Sequence, residues 1–135
     1  MSLATWKAEF YPVKAKDCPE EEYITHALRK YIGTRKENLV RHEVTLRGMT
    51  LMDDSDKSMF RLDSETCALC VHYECPYCPL HLIDIHLSSC SDQMGSPWFE
   101  FKVYGNPEPM IARLEEIQNQ NKIDLRIQKE EKHEN

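Results

Sequence analysis

The sequence predicts an α+β fold: a small single domain with N-terminal helices, a β-hairpin, a four-cysteine zinc loop and a C-terminal helix that closes the core. Three observations carry that expectation. Apolar residues recur at helical spacing over residues 24–32 and again over 111–117. Two apolar runs flank a polar cluster at residues 53–58. Two Cys-x-x-Cys pairs, Cys67 with Cys70 and Cys75 with Cys78, fall within twelve residues. At 135 residues the chain suits one domain, with 1–120 as its zinc-stabilised body and 121–135 as a polar tail.

Residues 6–13 are aromatic-rich, are broken by Pro12, and suggest an extended lead-in. The clearest helix follows. Asp17 is its expected cap, with Pro19 in the first turn, Glu20 at the reciprocal capping-box position and Gly33 as its stop. Ile24, Ala27, Leu28, Tyr31 and Ile32 form its apolar stripe. Glu20, Glu21 and Glu22 suit the positive end of the helix dipole, and Arg29 and Lys30 the negative end. A second box, Thr34-x-x-Glu37, opens a short helix over residues 39–42.

Beyond Glu43 the pattern changes. Val44, Leu46, Met49 and Leu51 suggest one strand and Met59-Phe60-Arg61-Leu62 its hairpin partner. Asp53, Asp54 and Asp56 lie in the turn between them; without the Gly and distal Glu of an EF-hand they suggest a solvated loop. Residues 80–87 are apolar and His-rich, and their pattern assigns no state. Ser96-Pro97 opens a short helix and Gly105 ends it, although Phe99, Phe101 and Val103 alternate as a strand would. Asn106 caps the last helix, with Pro107 and Pro109 in its donor-free first turn and Ile111, Leu114 and Ile117 facing inward. Ile123, Leu125 and Ile127 hint at a short strand in the tail.

The formal net charge is −6, unevenly spread. Residues 1–50 carry nine Lys/Arg and seven Asp/Glu; residues 51–105 carry three and nine, with no Lys or Arg between Arg61 and Lys102. A metal knuckle that grips phosphates is normally rich in Lys and Arg, so this acidic one argues against contact with nucleic acid. No apolar run approaches the roughly 18 residues of a membrane span, and the first residues lack a signal-peptide stretch. The expectation is a cytoplasmic protein with no membrane partner, in whose reducing compartment clustered cysteines serve as metal ligands before disulfides.

Tetrahedral Zn²⁺ takes four convergent thiolates, here four of Cys67, Cys70, Cys75, Cys78 and Cys90. Only four residues separate Cys70 from Cys75, a tight link, so Cys90 is a credible ligand in place of Cys75. His72, His81 and His86 are near enough to substitute, although such histidines more often serve packing or lie on the surface. An iron–sulfur cluster would use the same thiolates but ranks second, because the ferredoxin spacing is missing. Cys75-Pro76-Tyr77-Cys78 resembles the active site of glutaredoxins, which implies an attacking Cys75 thiolate at a helix start; Pro79 would disturb that helix. No G-x-S-x-G, P-loop or dinucleotide glycine pattern occurs, and no catalytic residue is assigned. Arg29, Lys30, Arg35, Lys36, Arg41 and Arg47, against Glu37 and Glu43, give residues 29–47 a local charge of +4. They are the candidate contacts to nucleic acid or an acidic partner, weighed against the commoner solvated helical face.

Cys67-Ala68-Leu69-Cys70, Cys78-Pro79-Leu80, Cys90, Ser96-Pro97-Trp98 and Pro107-Glu108-Pro109-Met110-Ile111 together resemble a family of small Cys-rich hypothetical proteins of tailed bacteriophages and prophages. Trp6-x-x-Glu9-Phe10-Tyr11-Pro12 and residues 31–42 share the likeness. The resemblance implies action inside a bacterial host cell, favours Cys90 as a ligand, and carries no established activity. The resulting expectation is a non-catalytic zinc-binding protein that acts by binding a host macromolecule, first of all a protein, with inhibition as one form that binding takes. The alternatives are a nucleic-acid-binding regulator using residues 29–47 and a thiol oxidoreductase centred on Cys75 and Cys78. The partner's identity and the oligomeric state stay open.

Overall fold

Ser2 starts a helix where the sequence suggests extended chain. The computed structural model describes residues 2–63, 66–72 and 96–133, with side chains described to residue 120. Helix α1 spans Leu3–Phe10. The Ser2 hydroxyl accepts the Thr5 N–H and the Thr5 hydroxyl accepts the Ser2 N–H, a reciprocal cap. Leu3, Trp6 and Phe10, at i, i+3 and i+7, are its buried face. The extended lead-in is therefore corrected: clustered aromatics mimic a strand, but the Ser-x-x-Thr cap and the helical spacing decide the backbone.

Helix α2 spans Tyr23–Ile32 and is preceded by two 3₁₀ turns, Ala15–Asp17 and Glu20–Glu22. Asp17 does not cap it. Cys18 precedes Pro19 and is held extended at φ −71°, ψ 130°, which interrupts any helix between Asp17 and Glu20. The apolar stripe lies where its spacing puts it, with Ala27, Leu28 and Tyr31 buried and Ile24 and Ile32 packed at its edge. Helix α3 spans Lys36–His42, with Arg35 at its N-cap position. The expected Thr34 box is absent, because the Thr34 hydroxyl donates back to the Tyr31 carbonyl at 2.6 Å.

The expected hairpin is two hairpins. Strands β1 (Val44–Arg47), β2 (Thr50–Asp53) and β3 (Met59–Arg61) form an antiparallel sheet in that order. Arg47 pairs with Thr50, so the run from Val44 to Leu51 folds back at Gly48, whose φ of +58° suits glycine. Thr50 pairs with Arg61 across the second hairpin, and residues 54–58 make its polar turn. Asp53 is no solvated turn residue. It shares the inward face of β2 with Leu51 and is 2% exposed. Its carboxylate accepts the Leu3 N–H at 2.8 Å, and the Ser55 N–H and hydroxyl at 2.8 and 2.7 Å. One side chain thus closes the turn and holds the start of α1.

Helix α4 spans Ala68–His72, α5 spans Pro97–Tyr104 and α6 spans Glu108–His133. Ser96 caps α5 and Gly105, at φ +67°, ends it, as the sequence predicts. Asn106 accepts the Glu108 N–H at the start of α6, and Ile111, Leu114 and Ile117 are buried. The strand hinted at by Ile123, Leu125 and Ile127 is absent: α6 runs on through the tail, whose Lys, Glu, Gln and Arg are good helix formers. Helix α2 packs against α1, α4 and α6; α5 lies on α6, α3 on β1 and α1 on β2. The described architecture is a small α+β domain.

Trp6 is completely buried, and its indole N–H donates to the Gly33 carbonyl at 2.9 Å. A Cβ on Gly33 would lie 2.6 Å from Phe10 Cγ and 2.8 Å from Phe10 Cβ. Gly33 has φ −61°, open to any residue, so the closeness of α1 rather than the backbone requires glycine. Gly33→Ala would gain about 0.4–1 kcal/mol by restricting the unfolded chain. Overpacking against Phe10 costs more, about 1–3 kcal/mol. Urea unfolding is expected to give a net loss of about 1–2 kcal/mol at unchanged m-value; a stabilised variant would show that α1 moves aside freely.

Candidate metal site at the Cys67–Cys70 turn

Cys67 directly precedes α4, and its carbonyl accepts the Val71 N–H at 3.0 Å. One helical turn then brings Cys70 back to it. The Cys67 thiol is buried, with the Cys70 thiol and backbone N–H next to it. The neighbouring Cys70 thiol first, and burial second, push the Cys67 thiol well above its ordinary range; the Lys30 ammonium and the Cys70 N–H pull the other way. Cys67 and Cys70 are free thiols, as is buried Cys18.

Lys30 is the residue that sequence patterning misplaces. It belongs to the basic run, yet its side chain is completely buried. Its ammonium donates to the Thr66 carbonyl at 3.2 Å, directly before the cysteine turn, and lies 4.9 Å from the centre of the Tyr31 ring. The signal was its place three residues after Ala27 and seven after Tyr23, on the inward face of α2.

Zinc needs soft donors that converge, and Cys67 and Cys70 do. Cys75, Cys78 and Cys90 lie outside the described residues, as do His81, His86 and the glutaredoxin-like tetrapeptide. Among the described residues no group of three or more His, Cys, Asp or Glu side chains could hold a metal. His72 is already used: its Nε2 bonds the Ala15 carbonyl at 2.8 Å and its ring stacks on Tyr23 at 4.3 Å. What fits a metal here is the thiol pair, the N–H next to it and the buried cation beside it.

The other basic candidates divide. Arg35 makes a two-pronged pair with Glu108 at 2.9 and 3.2 Å. Arg41 grips both oxygens of Glu9, one at 2.6 Å. With Lys30 buried, the exposed members are Arg29, Lys36 and Arg47, beside the partly paired Arg41. They do not make the continuous cationic face that the +4 count suggests. No helix among the described residues is long and apolar enough to cross a membrane.

Comparison with protein-family models, with curated proteins and with solved structures finds no match.

The Glu9–Arg41 pair joins α1 to α3, and buried His42 completes it, with Nε2 3.3 Å from Glu9 and Nδ1 2.9 Å from the Thr5 hydroxyl. Hydrogen bonds from Arg41 hold the Glu9 carboxyl down at about 2, against an ordinary 4.5. Asp53 is held low by the Ser55 hydroxyl and the Leu3 N–H. Both carboxyls take up a proton more readily when unfolded, so their contribution is full above about pH 5 and is lost as pH falls toward 2. Glu9→Gln is expected to flatten stability against pH between about 5 and 2 while leaving the part due to Asp53. Chemical denaturation at stepped pH measures it, and an unchanged slope would show that the pair is not kept in solution.

Proposed function

We propose that the chain is a non-catalytic zinc-binding protein that acts by binding, and so inhibiting, another macromolecule, with a bacterial host protein as the first candidate. One observation carries the metal part: a wholly buried ammonium beside a pair of thiols, Cys67 buried and Cys70 half-buried. An unbalanced buried charge costs several kcal/mol. Neutral thiols at Cys67 and Cys70 offer Lys30 no anion, and its acceptors among the described residues are a carbonyl and a ring face. Zinc, when bound, would hold both cysteines as thiolates. A centre with four thiolates carries a charge of about −2 and one with three thiolates and a histidine about −1, and either would offset Lys30; a neutral one with two thiolates and two histidines would not. That favours at least one of Cys75, Cys78 and Cys90 as a further ligand.

The binding part is supported by charge and by surface. The chain is acidic at −6, Arg35 and Arg41 are spent on carboxylates, and both features disfavour phosphate contacts. Val40, Met59, Val103 and Tyr104 are large apolar side chains more than half exposed, which a protein partner would cover. The bacterial context rests on the phage-protein resemblance of the sequence. The raised Cys67 thiol is no ready nucleophile, which weighs against thiol redox chemistry at this turn.

Elemental analysis of protein purified without added metal is expected to find about one zinc per chain, and chelation to lower the melting temperature sharply. Cys67→Ser and Cys70→Ser should each lose the metal. Lys30→Met keeps the buried stem and removes the charge, and should weaken zinc binding about 10–100-fold, read by competition with a chromophoric chelator. Metal-free native protein with an unchanged melting curve would overturn the zinc part. Recovery of no stoichiometric protein partner from bacterial lysate, with salt-dependent DNA or RNA binding instead, would overturn the choice of partner.

A further inference from the structure

His26 belongs to none of the machinery above. It is 9% exposed, and Tyr11 meets its ring edge-on at 5.0 Å. Its Nε2 sits 2.6 Å from the Val13 carbonyl oxygen. A carbonyl only accepts, so Nε2 carries the ring proton and the Nδ1 of the neutral ring is a bare lone pair. Nδ1 is buried with no hydrogen-bond partner among the described residues. A neutral ring bears that at the cost of one missed hydrogen bond. A protonated ring would bury a second N–H with no acceptor, and a positive charge with it.

The loop that joins α1 to α2 is held by this ring. Two imidazoles from different helices bond its carbonyls: His26 of α2 at Val13, and His72 of α4 at Ala15, at 2.8 Å. Its own amides make local bonds, Ala15 N–H to the Tyr11 hydroxyl and Asp17 N–H to the Lys14 carbonyl, both at 2.9 Å. The charges around His26 favour the neutral ring. Arg29 and Lys30 lie one turn along α2 and Glu22 one turn before it, so two cations oppose one carboxylate. Tyr11 faces the ring from the end of α1, and Cys18 shares a cavity wall with it; burial pushes both up, and they stay uncharged. Lys14, Lys16 and Asp17, the loop's own charges, are exposed. Burial first, with Lys30 and Arg29 behind it, pushes the ring below its ordinary 6.5, against the pull of the Val13 carbonyl and Glu22.

We propose that His26 is an acid-sensitive latch on the loop of residues 12–18: the neutral ring holds the loop against α2, and proton uptake at Nδ1 drives the ring from its socket and frees the loop. Once out, the Nδ1 proton is taken by water and the Val13 carbonyl loses its donor. The closed loop is fully favoured above about pH 6.5, where the ring is neutral whether seated or free, and loses ground as pH falls below that. The Glu9 and Asp53 carboxyls act below about pH 5, so the two effects separate along the pH axis. Opening bares Ala15 and Cys18, which are buried when the loop is closed. The latch does not depend on zinc.

The test is amide hydrogen exchange on the full chain, followed by NMR from about pH 7.5 to about pH 5 and corrected for intrinsic exchange. The Ala15 and Asp17 amides are expected to lose protection about tenfold per pH unit below about 6.5, while Leu51 of β2 and Val71 of α4 keep theirs. The ¹⁵N resonances of the His26 ring, read in the same samples, should show a neutral ring protonated at Nε2 at about pH 7. His26→Gln keeps an N–H for the Val13 carbonyl and takes up no proton, so its loop protection should stay flat over the same range. Unchanged loop protection in the wild-type chain would overturn the proposal, as would a His26 ring already charged at about pH 7. Loss at Leu51 or Val71 together with the loop would also overturn it, placing the change in the whole fold or at the cysteine turn. The wild-type comparison needs no variant, so a misfolded His26→Gln would not obscure it.

Discussion

A positive charge sits where no water reaches it, and the architecture is arranged around that fact. Lys30 lies on α2, the helix that packs against α1, α4 and α6. Its ammonium reaches the carbonyl of Thr66, the residue before the cysteine turn. The helical body is thereby connected to the segment that carries the thiols. A surface lysine would contribute little there, because water screens it. A buried one is strongly favourable or strongly unfavourable according to the charge of what faces it. The Lys30 ammonium favours a negative charge on the Cys67 sulfur, and such a charge would in turn favour the buried Lys30 of α2.

The helices were legible where two signals agreed. For α5, Ser96-Pro97 and Gly105 outweighed the alternation of Phe99, Phe101 and Val103, and the helix forms between those caps. For α2 the stripe located the buried face, but the cap was misread: Asp17 has the right chemistry for an N-cap, and Pro19 forces Cys18 out of helical geometry just after it. α1 was missed because its aromatics have strand propensity and Pro12 suggested a break, whereas the Ser2–Thr5 cap is a four-residue signal that needs no apolar run. The sheet was half legible. Alternation located the apolar residues, yet it continues across a two-residue turn, so only Gly48 marked the fold-back.

The candidate site was legible by type and not by surroundings. Spacing alone brings Cys67 and Cys70 together, since one helical turn separates them. Charge counting treats every lysine as exposed, so Lys30 was added to a basic face when its position relative to Tyr23 and Ala27 turned it inward. Asp53 is the parallel case: it reads as the first residue of a polar loop, but the two-residue period of β2 puts it on the face of Leu51. In both instances an ionisable side chain obeyed the periodicity of its element rather than its own preference for water. Periodicity is thus the better guide to which charged residues do structural or chemical work.

The two buried nitrogen groups, Lys30 Nζ and His26 Nδ1, show opposite electrostatic needs. The ammonium has three protons to donate and, among the described residues, a single carbonyl plus a ring face to receive them. The imidazole nitrogen has a lone pair and no donor among the described residues. An anionic metal–thiolate centre answers the first need and cannot answer the second, because it brings no donor. The two deficits are therefore chemically distinct, and balancing the charge of Lys30 leaves the lone pair of His26 as it is.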